Sequence, residues 1–411
     1  MKCLSDKLII GGKEIKNRLC VPPMYIGPFS GEMQKATEKN IEHYEALAKG
    51  DFGLIIQEAS CVTETGYLAP DQLGIWSDEQ IPQLKKITEA VHAAGGTILV
   101  QIHHAGLVGA HEEVVSPSGY EYNGKTAKAL TAEEIEEIIE AFVAAAKRAV
   151  KAGYDGIELH GCHSYLISQF LNCECNRRED KWGQPEAFAL EIYHRIKKEV
   201  PSDFIVGIRL GAFEPTINEG IRLAKVFEEA GLDFLDISYG FRPTMKMEIP
   251  ENWKYSGAAY GAGEIKKAVK NIPVFAVDGI CTPEQAKEIL ELTDVDMIDI
   301  GRSALVDYDW AKKALAGEEL ISFVTLSKTD CFDDESLFPW IGFVYTFPQY
   351  RGHRYSEKLM NHAEAEARKA GYKKVYIGTD HENLYERFGY IYMESRPEKS
   401  GDMSKIYYKE I

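Results

Sequence analysis

The sequence lacks the closely spaced cysteines that usually bind zinc or an iron–sulfur cluster. Its eight cysteines show no Cys-x-x-Cys spacing, and the nearest two, Cys173 and Cys175, are separated by one residue. Structural zinc and iron–sulfur sites seldom use that spacing. We therefore expect no metal site, and we expect reduced thiols, most of them packing residues, in a cytoplasmic protein.

The sequence also lacks long apolar runs and an excess of positive charge. No apolar run reaches the length of a transmembrane helix, and the segment MKCLSDKLII has no signal-peptide core. The formal net charge is −17 at pH 7. Because phosphate backbones and anionic lipids do not attract a strongly acidic protein, we expect neither nucleic acid nor a membrane as a partner.

What is present is a long chain with enough apolar residues for more than one core. The 411 residues, 45% of them hydrophobic, predict two domains, which we place at 1–318 and 319–411. In the first, apolar strand patterns alternate with helical patterns after a hairpin at 8–15 that has a glycine turn. The predicted strands are 18–21, 53–57, 97–101, 156–160, 204–210, 234–238, 274–277 and 297–300. The predicted helices are 37–49, 79–94, 132–152, 187–200, 222–230, 263–270, 283–292 and 310–316. Eight such units predict an α/β fold, a TIM (β/α)8 barrel.

Three polar side chains follow the fourth predicted strand within six residues. They are His160, His163 and Tyr165, and each can donate a hydrogen bond. In a parallel barrel the carboxyl ends of the strands carry the substrate site. Because three co-located polar groups are costly to bury without a ligand, we favour a functional site here over strand capping and core packing.

The same stretch resembles the Old Yellow Enzyme family of FMN-dependent oxidoreductases. The resemblance rests on His160-x-x-His163-x-Tyr165-Leu166, then Gln169-Phe170-Leu171, then Asn176-x-Arg178-x-Asp180-x-Trp182-Gly183, and it extends over 8–317. It implies FMN as cofactor and NADH or NADPH as hydride donor. The implied reaction is ping-pong reduction of activated alkenes (α,β-unsaturated carbonyl compounds) or quinone-like acceptors. It also implies that His160 and His163 bind the carbonyl oxygen and that Tyr165 donates the proton.

The resemblance further implies a set of flavin contacts at the strand ends. These are Pro23, Met24, Tyr25, Ala59, Gln101, Arg209, Gly279, Gly301 and Arg302. The amide of Gln101 suits the pyrimidine edge of a flavin, and Arg302 can bind phosphate through two N–H groups. Two alternatives stay open: Gln101 as a satisfied amide of the barrel interior, and Arg209 in a salt bridge with Glu158 or Glu214.

Several positions depart from the family pattern. Tyr25 stands where relatives usually carry Thr or Cys, and a packed strand end is the other interpretation of this residue. Leu107 replaces a common Arg, Asp278 replaces a small residue, and 184–186 replaces the usual Gly-Asn-Arg continuation. A carboxylate that faced the phosphate would repel it, so we expect that Asp278 either points away or lowers the affinity for phosphate. These departures keep open a barrel, with or without bound flavin, that has lost catalysis.

Residues 319–411 have a different pattern, with predicted strands at 321–326, 340–345, 374–378 and 406–409 and a helix at 355–370. They resemble the later part of the GNAT acetyltransferase family. By this resemblance Gln349 and Gly352 belong to an acyl-coenzyme A loop and Tyr385 is a general acid, while Arg354 replaces a glycine. Because the family's first strand and helices are missing, we favour a structural appendage over a bifunctional reductase–N-acetyltransferase. Such a sheet could be completed by a second copy, and we expect a homo-oligomer.

Overall fold

The structure, a computed structural model, describes residues 2–26, 30–122, 124–317, 321–332, 334, 336–381, 383–398 and 403–411, with 125 and 349 described by their backbone alone. The chain forms two compact units, Met1–Glu318 and Glu319–Ile411. Along the described ranges, no helix has both the length and the apolar character needed to cross a membrane.

A short antiparallel hairpin precedes the barrel, as predicted. Strands β1 (Leu8–Ile10) and β2 (Lys13–Ile15) pair through a turn in which Gly11 and Gly12 have φ of 55° and 83°, values that glycine adopts without strain. Ile10 and Ile15 are buried against apolar side chains at the strand starts, among them Ile205. The hairpin therefore closes the N-terminal end of the barrel.

Eight parallel strands form a closed barrel, which confirms the predicted fold class. They are β3 (Leu19–Val21), β4 (Leu54–Cys61), β5 (Ile98–His103), β6 (Gly156–Gly161), β7 (Ile205–Gly211), β8 (Leu235–Ser238), β9 (Val274–Ala276) and β10 (Met297–Asp299). They follow one another in chain order around the ring, and β10 closes it by pairing with β3. Because both faces of the sheet are covered, the strands are buried along almost their whole length.

Helices surround the strands of the first unit. They are α1 (Glu38–Lys49), α2 (Ile81–Ala93), α3 (Ala132–Ala152), α4 (Leu166–Leu171), α5 (Ala187–Glu199), α6 (Ile217–Ala230), α7 (Gly257–Ala268), α8 (Pro283–Thr293), α9 (Arg302–Val306) and α10 (Trp310–Ala316). The longest, α3, begins with a capping box between Thr131 and Glu134 and ends at Gly153 with φ of 87°. These are the start and stop signals that the sequence displays.

The second unit is an α+β layer of one sheet and one long helix. Its strands are β11 (Ser322–Ser327), β12 (Trp340–Thr346), β13 (Lys374–Thr379), β14 (Ile391–Pro397) and β15 (Met403–Glu410), and its helix is α11 (Tyr355–Lys369). The strands lie in the order β11-β12-β13-β15-β14. Ile341, Met360, Val375 and Ile377 form its core.

Candidate active site

The predicted triad lies at the carboxyl end of β6, where the chain turns sharply into α4. His160 is the second-last residue of β6, and Tyr165 directly precedes α4. Between them His163 and Ser164 have φ of 60° and 67°, a left-handed conformation that is uncommon for residues other than glycine. This turn folds the two imidazoles and the phenol back toward one another.

The three rings are close together, and a fourth ring joins them. The centroid of Tyr165 lies 4.5 Å from that of His160 and 6.4 Å from that of His163. His103, the last residue of β5, lies 4.4 Å from Tyr165 between ring centroids. No motif in the sequence marks His103, because a single histidine at a strand end carries no signal by itself.

The imidazoles form a continuous chain of short contacts. His103 Nδ1 lies 3.1 Å from His160 Nδ1, and His160 Nε2 lies 3.2 Å from His163 Nδ1. His163 Nε2 lies 2.7 Å from the hydroxyl oxygen of Ser238, at the end of β8. The two predicted carbonyl-binding histidines are therefore hydrogen-bonded to each other as well as to other groups.

Burial sets the charge state of these groups. It lowers the pKa of His103 to about 3. Burial and neighbouring positive groups, including Arg209, also lower the pKa values of His160 and His163 well below the usual range. Burial raises the pKa of Tyr165 to about 12. At neutral pH the imidazoles are therefore uncharged and the phenol keeps its proton.

A cavity of about 310 Å³ opens beside the triad at the ends of the strands. Six of the predicted flavin contacts line it, together with His163: they are Pro23, Met24, Arg209, Gly279, Gly301 and Arg302. Arg242 also lines the cavity, and the sequence analysis missed it because it lies in a loop with no motif. Of the triad, His163 lines the cavity, whereas His160 and Tyr165 lie behind it and reach it through their contacts with His163.

Three predicted flavin contacts are not among the residues that line this cavity. Tyr25 is 44% exposed and donates a hydrogen bond to Asp71, so it is not a packed strand end. Ala59 is half-buried, and its carbonyl accepts a hydrogen bond from Gln72 at 2.7 Å. Gln101 is buried and donates a hydrogen bond to Glu158 at 2.7 Å. This contact agrees with the alternative interpretation of Gln101 as a satisfied amide of the barrel interior.

Arg209 forms its ion pair with a residue that the sequence analysis did not consider. Its Nη1 lies 3.2 Å from Asp236 Oδ2, rather than beside Glu158 or Glu214 as the alternative proposed. The reason is register: Arg209 and Asp236 face each other across β7 and β8. Glu214 instead accepts a hydrogen bond from Ser168 in α4 at 2.6 Å.

The floor of the site holds more acidic groups than Arg209 can neutralise. Glu158, Asp236 and Asp299 are all buried, and Asp299 lines the cavity with Arg209. Burial and the nearby carboxylates raise the pKa values of Glu158 and Asp299 well above the usual range. The cause is that like charges in a dry interior resist ionising together.

The rim of the cavity combines a glycine turn with opposite charges. Gly279 has φ of 72°, and a Cβ built there would meet no atom within 4 Å. Asp278 has φ of 82° and accepts a hydrogen bond from Tyr239 at 2.8 Å, while Arg302 lies 3.8 Å from its other oxygen. Asp278 therefore lines the cavity, where Tyr239 holds it, and a loss of phosphate affinity at this position stays a prediction.

One group of potential metal ligands overlaps the triad. Within the described ranges, His160, Cys162 and His163 bring one ligand atom each to within 4.8 Å of one another. The facing ring nitrogens of the two histidines are already in contact with each other at 3.2 Å. The absence of a metal site stays a prediction.

The second unit has a cavity of its own, of about 670 Å³. Gly352, Arg354 and Tyr385 line it. Gly352 has φ of 88° and open space at its Cβ position. The guanidinium of Arg354, the residue that replaces a family glycine, is paired with Glu357 at 2.6 Å. The side chain of Gln349 lies outside the described residues.

Known proteins resemble both parts of the chain. A sequence model of the NADH:flavin oxidoreductase / NADH oxidase family matches residues 6–320, and one of the Acetyltransferase (GNAT) family matches residues 285–390. The second match begins inside α8, so it does not coincide with the second unit. Both resemblances predicted from sequence motifs are confirmed at this level.

Individual relatives agree with the first match. An "NADH oxidase" of Thermoanaerobacter brockii is 38% identical over 328 residues, which cover 75% of this chain and 50% of that protein. The chain therefore spans about half the length of that relative. An "NADPH dehydrogenase" of Halalkalibacterium halodurans is 35% identical over 324 residues, which cover 76% of this chain and 93% of the relative.

A solved structure agrees as well. The Old Yellow Enzyme homologue from Zymomonas mobilis superposes with a TM-score of 0.64 at 25% identity, covering 84% of this chain and 98% of that one. The fold, the strand-end site and the family match over most of the barrel lead to one conclusion. The chain belongs to the NADH:flavin oxidoreductase / NADH oxidase family.

Proposed function

We propose that the barrel is an FMN-dependent NAD(P)H oxidoreductase that reduces activated alkenes or quinone-like acceptors. One observation carries this proposal: His160, His163 and Tyr165 meet at the carboxyl ends of the strands, beside a cavity that His163 and Arg209 line. Acceptors of this class carry a conjugated carbonyl oxygen. Two imidazoles and a phenol are a suitable set of donors for that oxygen and for the carbon that must gain a proton.

The cavity walls suit FMN, which has hydrogen-bond acceptors on its ring and a phosphate on its tail. The buried Nε of Arg209 has no hydrogen-bond partner among the described residues, and its side chain lines the cavity. Arg302 is 81% exposed at the rim, next to the open turn of Gly279. Arg209 at the floor can donate a hydrogen bond to the flavin ring. Arg302 at the rim, beside the open turn at Gly279, can bind the phosphate.

In this mechanism the protein orients the acceptor and moves a proton. Arg209 and Arg302 would hold FMN, which would supply hydride-transfer chemistry between NADH or NADPH and the acceptor. His163 donates from Nε2 to the carbonyl oxygen in place of the Ser238 hydroxyl, which its Nε2 now contacts at 2.7 Å. His160, whose Nε2 lies 3.2 Å from His163 Nδ1, supports that donor through the hydrogen bond between the two rings, and His163 stabilises the negative charge that develops on the oxygen. Tyr165 then gives its proton to the α-carbon.

Two half-reactions test the proposal. The purified protein is titrated with FMN and mixed without oxygen with NADH or NADPH, and the reduced protein is then mixed with a cyclic enone or a quinone. We expect both steps to be fast and saturable. An FMN-loaded protein that neither nicotinamide reduces would contradict the proposal.

A ligand titration tests the role of the histidine pair separately. Phenolates mimic the oxygen of the acceptor, so the double variant His160→Ala/His163→Ala should lose tight phenolate binding over the flavin. The matched control is His194→Ala, which removes an exposed histidine away from the strand ends. Equal phenolate affinity in both variants would rule out the pair as the oxygen-binding group.

A barrel that has lost catalysis is the main competitor. Asp278 motivates it, because its carboxylate faces the cavity where a phosphate would bind. Protein that stays colourless after incubation with FMN would decide in favour of this competitor.

The second unit has one observation in favour of acyl-coenzyme A binding. Gly352 and the buried Tyr385 line a cavity of about 670 Å³, as the resemblance to acetyltransferases implies. We still favour a structural role, because the sequence pattern of 319–411 does not include the first strand and first helices that shape the acceptor site in that family. Calorimetry with acetyl-coenzyme A distinguishes the two: heat of binding that Gly352→Trp abolishes would establish a bifunctional protein, and no heat would leave the structural role.

A further inference from the structure

A third imidazole lies behind the two that the proposed function assigns to the acceptor. His103 is fully buried, with 0% of its surface exposed, and its Nδ1 contacts His160 Nδ1 at 3.1 Å. It does not line the cavity of about 310 Å³. His160 does not line it either, so His103 acts on an acceptor through His160 and then His163, the histidine of this chain that lines the cavity.

We propose that His103 is a positioning residue that fixes the tautomers of His160 and His163, so that His163 presents an N–H from Nε2 to the cavity. This inference rests on the proposed function, because only there does the direction of the N–H groups matter for catalysis. It concerns protons on imidazole nitrogens, and it can be tested without any substrate.

The chain of contacts allows two ordered arrangements. A neutral imidazole has one N–H and one lone pair, so each ring must donate on one side and accept on the other. In the first arrangement His103 Nδ1–H donates to His160, His160 Nε2–H donates to His163, and His163 Nε2–H donates to Ser238. In the second, every hydrogen bond runs in the opposite direction, starting from the Ser238 hydroxyl.

The far nitrogen of His103 selects between them. Among the described residues its Nε2 is buried and has no hydrogen-bond partner. In the first arrangement that nitrogen is a bare acceptor, whereas in the second it carries an N–H with nothing to receive it. Buried donors without a partner are rarer than buried acceptors without one, because an unmade hydrogen bond of a buried N–H is costly. The first arrangement is therefore preferred, and it directs every N–H toward Ser238 and the cavity.

The surroundings keep the arrangement intact. A protonated imidazole would have two N–H groups and would break the single direction of the chain. Burial prevents this by lowering the pKa of His103 to about 3, and His160 and His163 are shifted in the same direction by burial and nearby cations. His103 thus supplies the terminal donor that sets the order of the whole chain.

Nitrogen NMR of ¹⁵N-histidine-labelled, full-length protein tests the proposal, since the two tautomers of a neutral imidazole have distinct nitrogen shifts. At pH 7 we expect the Nδ1–H tautomer for His103 and the Nε2–H tautomer for His160 and His163, with assignments from single-histidine variants. His103→Leu removes the donor, and we expect His160 and His163 to become mixtures of tautomers. The matched control is His103→Asn, whose side-chain amide can still donate to His160.

Phenolate affinity provides the second readout. We expect His103→Leu to weaken it about tenfold, the effect of misdirecting one hydrogen bond, and His103→Asn to restore most of the loss. A wild-type His163 in the Nδ1–H form, or unchanged tautomers in His103→Leu, would overturn the inference. Because the tautomers are read without an acceptor, that failure is distinct from a failure of the proposed reaction, which the two half-reactions report.

Discussion

At the scale of single residues, the proposed role of Tyr165 as proton donor leads to a specific prediction for the two half-reactions. Its ring packs against His103 and His160 with centroids 4.4 Å and 4.5 Å away, so Tyr165→Phe removes the hydroxyl and keeps the packing. We expect flavin reduction by NADH or NADPH to stay nearly unchanged, while reduction of the enone slows by about 10² to 10⁴, the usual value of a positioned proton donor. Anaerobic stopped-flow measurement of each half-reaction checks this, and equal enone rates in both proteins would refute the assignment.

The position of Asp278 leads to a prediction about the affinity for FMN. Its carboxylate lines the cavity, and its φ of 82° is one that glycine adopts more easily. Asp278→Gly removes both the charge and the strain, so we expect FMN to bind about tenfold more tightly, as removal of one nearby like charge allows. Flavin fluorescence titration measures this.

The control for that variant is Asp278→Asn, which removes the charge but keeps a side chain at the same φ. Tighter binding in both variants assigns the effect to charge, and tighter binding in Asp278→Gly alone assigns it to the backbone. Weaker binding in both would mean that Asp278 holds Arg302 and Tyr239 in a productive arrangement, contrary to our account.

Single residues also show where sequence reasoning succeeds. His160, His163 and Tyr165 lie within six residues after a strand, so a local pattern was enough to bring them together. The partner of Arg209 depends instead on the register between β7 and β8, which places Asp236 opposite it. The contact of His103 with His160 likewise joins neighbouring strands, and no spacing along the chain encodes it.

At the scale of elements, local signals predicted some helix ends and missed others that are also capped, such as the start of α6 after Thr216. Helix α3 has the predicted bounds, because Thr131, Glu134 and Gly153 mark its ends. Helix α7 begins at Gly257, six residues before the prediction, since its first half is rich in glycine. A Cβ on Gly261 would lie 2.3 Å from the Cβ of Ala212. Close packing, which is a tertiary effect, therefore overrides the poor helix propensity of glycine there.

Strand β14 is the element that the sequence analysis missed in the second unit. Ile391, Tyr392 and Met393 are all between 41% and 54% exposed, so the strand shows neither a buried run nor an alternating pattern. Its place is set by pairing with β15. An edge strand of this kind depends on its neighbour, and periodicity alone does not predict it.

The hydrogen bonds that join the α4 segment to Glu214, after the end of β7, predict a pH dependence of stability. Glu214 accepts hydrogen bonds from Ser168 and Asn172 of the α4 segment, and burial raises its pKa to about 8. Between the usual pKa of a glutamate and 8, the folded protein holds a proton that the unfolded chain has released. The contribution of Glu214 is thus fully present at low pH and is lost as the pH rises toward 8.

Glu214→Gln removes this titration and keeps an acceptor for Ser168. We expect the free energy of unfolding of the wild type to fall relative to the variant between pH 5 and pH 8, by at most about 1.4 kcal/mol per pH unit. Urea unfolding at several pH values measures the difference. Glu58, whose pKa burial also raises to about 8, titrates in both proteins and cancels. A difference that does not change with pH would contradict the account.

At the scale of the whole molecule, we propose that the two compact units, Met1–Glu318 and Glu319–Ile411, are separate domains. The residues of the proposed reductase site all lie in the first. We expect a variant that ends at Gly317, just after α10, to fold, bind FMN and oxidise NADH or NADPH like the full chain. A truncated protein that is insoluble or loses FMN would show that the barrel depends on the second unit.

The whole account depends on a flavin at the mouth of the barrel. The most direct test is the visible absorption spectrum of the purified protein after titration with FMN and then with NADH or NADPH without oxygen. The account predicts stoichiometric yellow protein whose flavin bands bleach with a nicotinamide and return with an enone. Protein that takes up no FMN, and so shows no flavin bands, would contradict it.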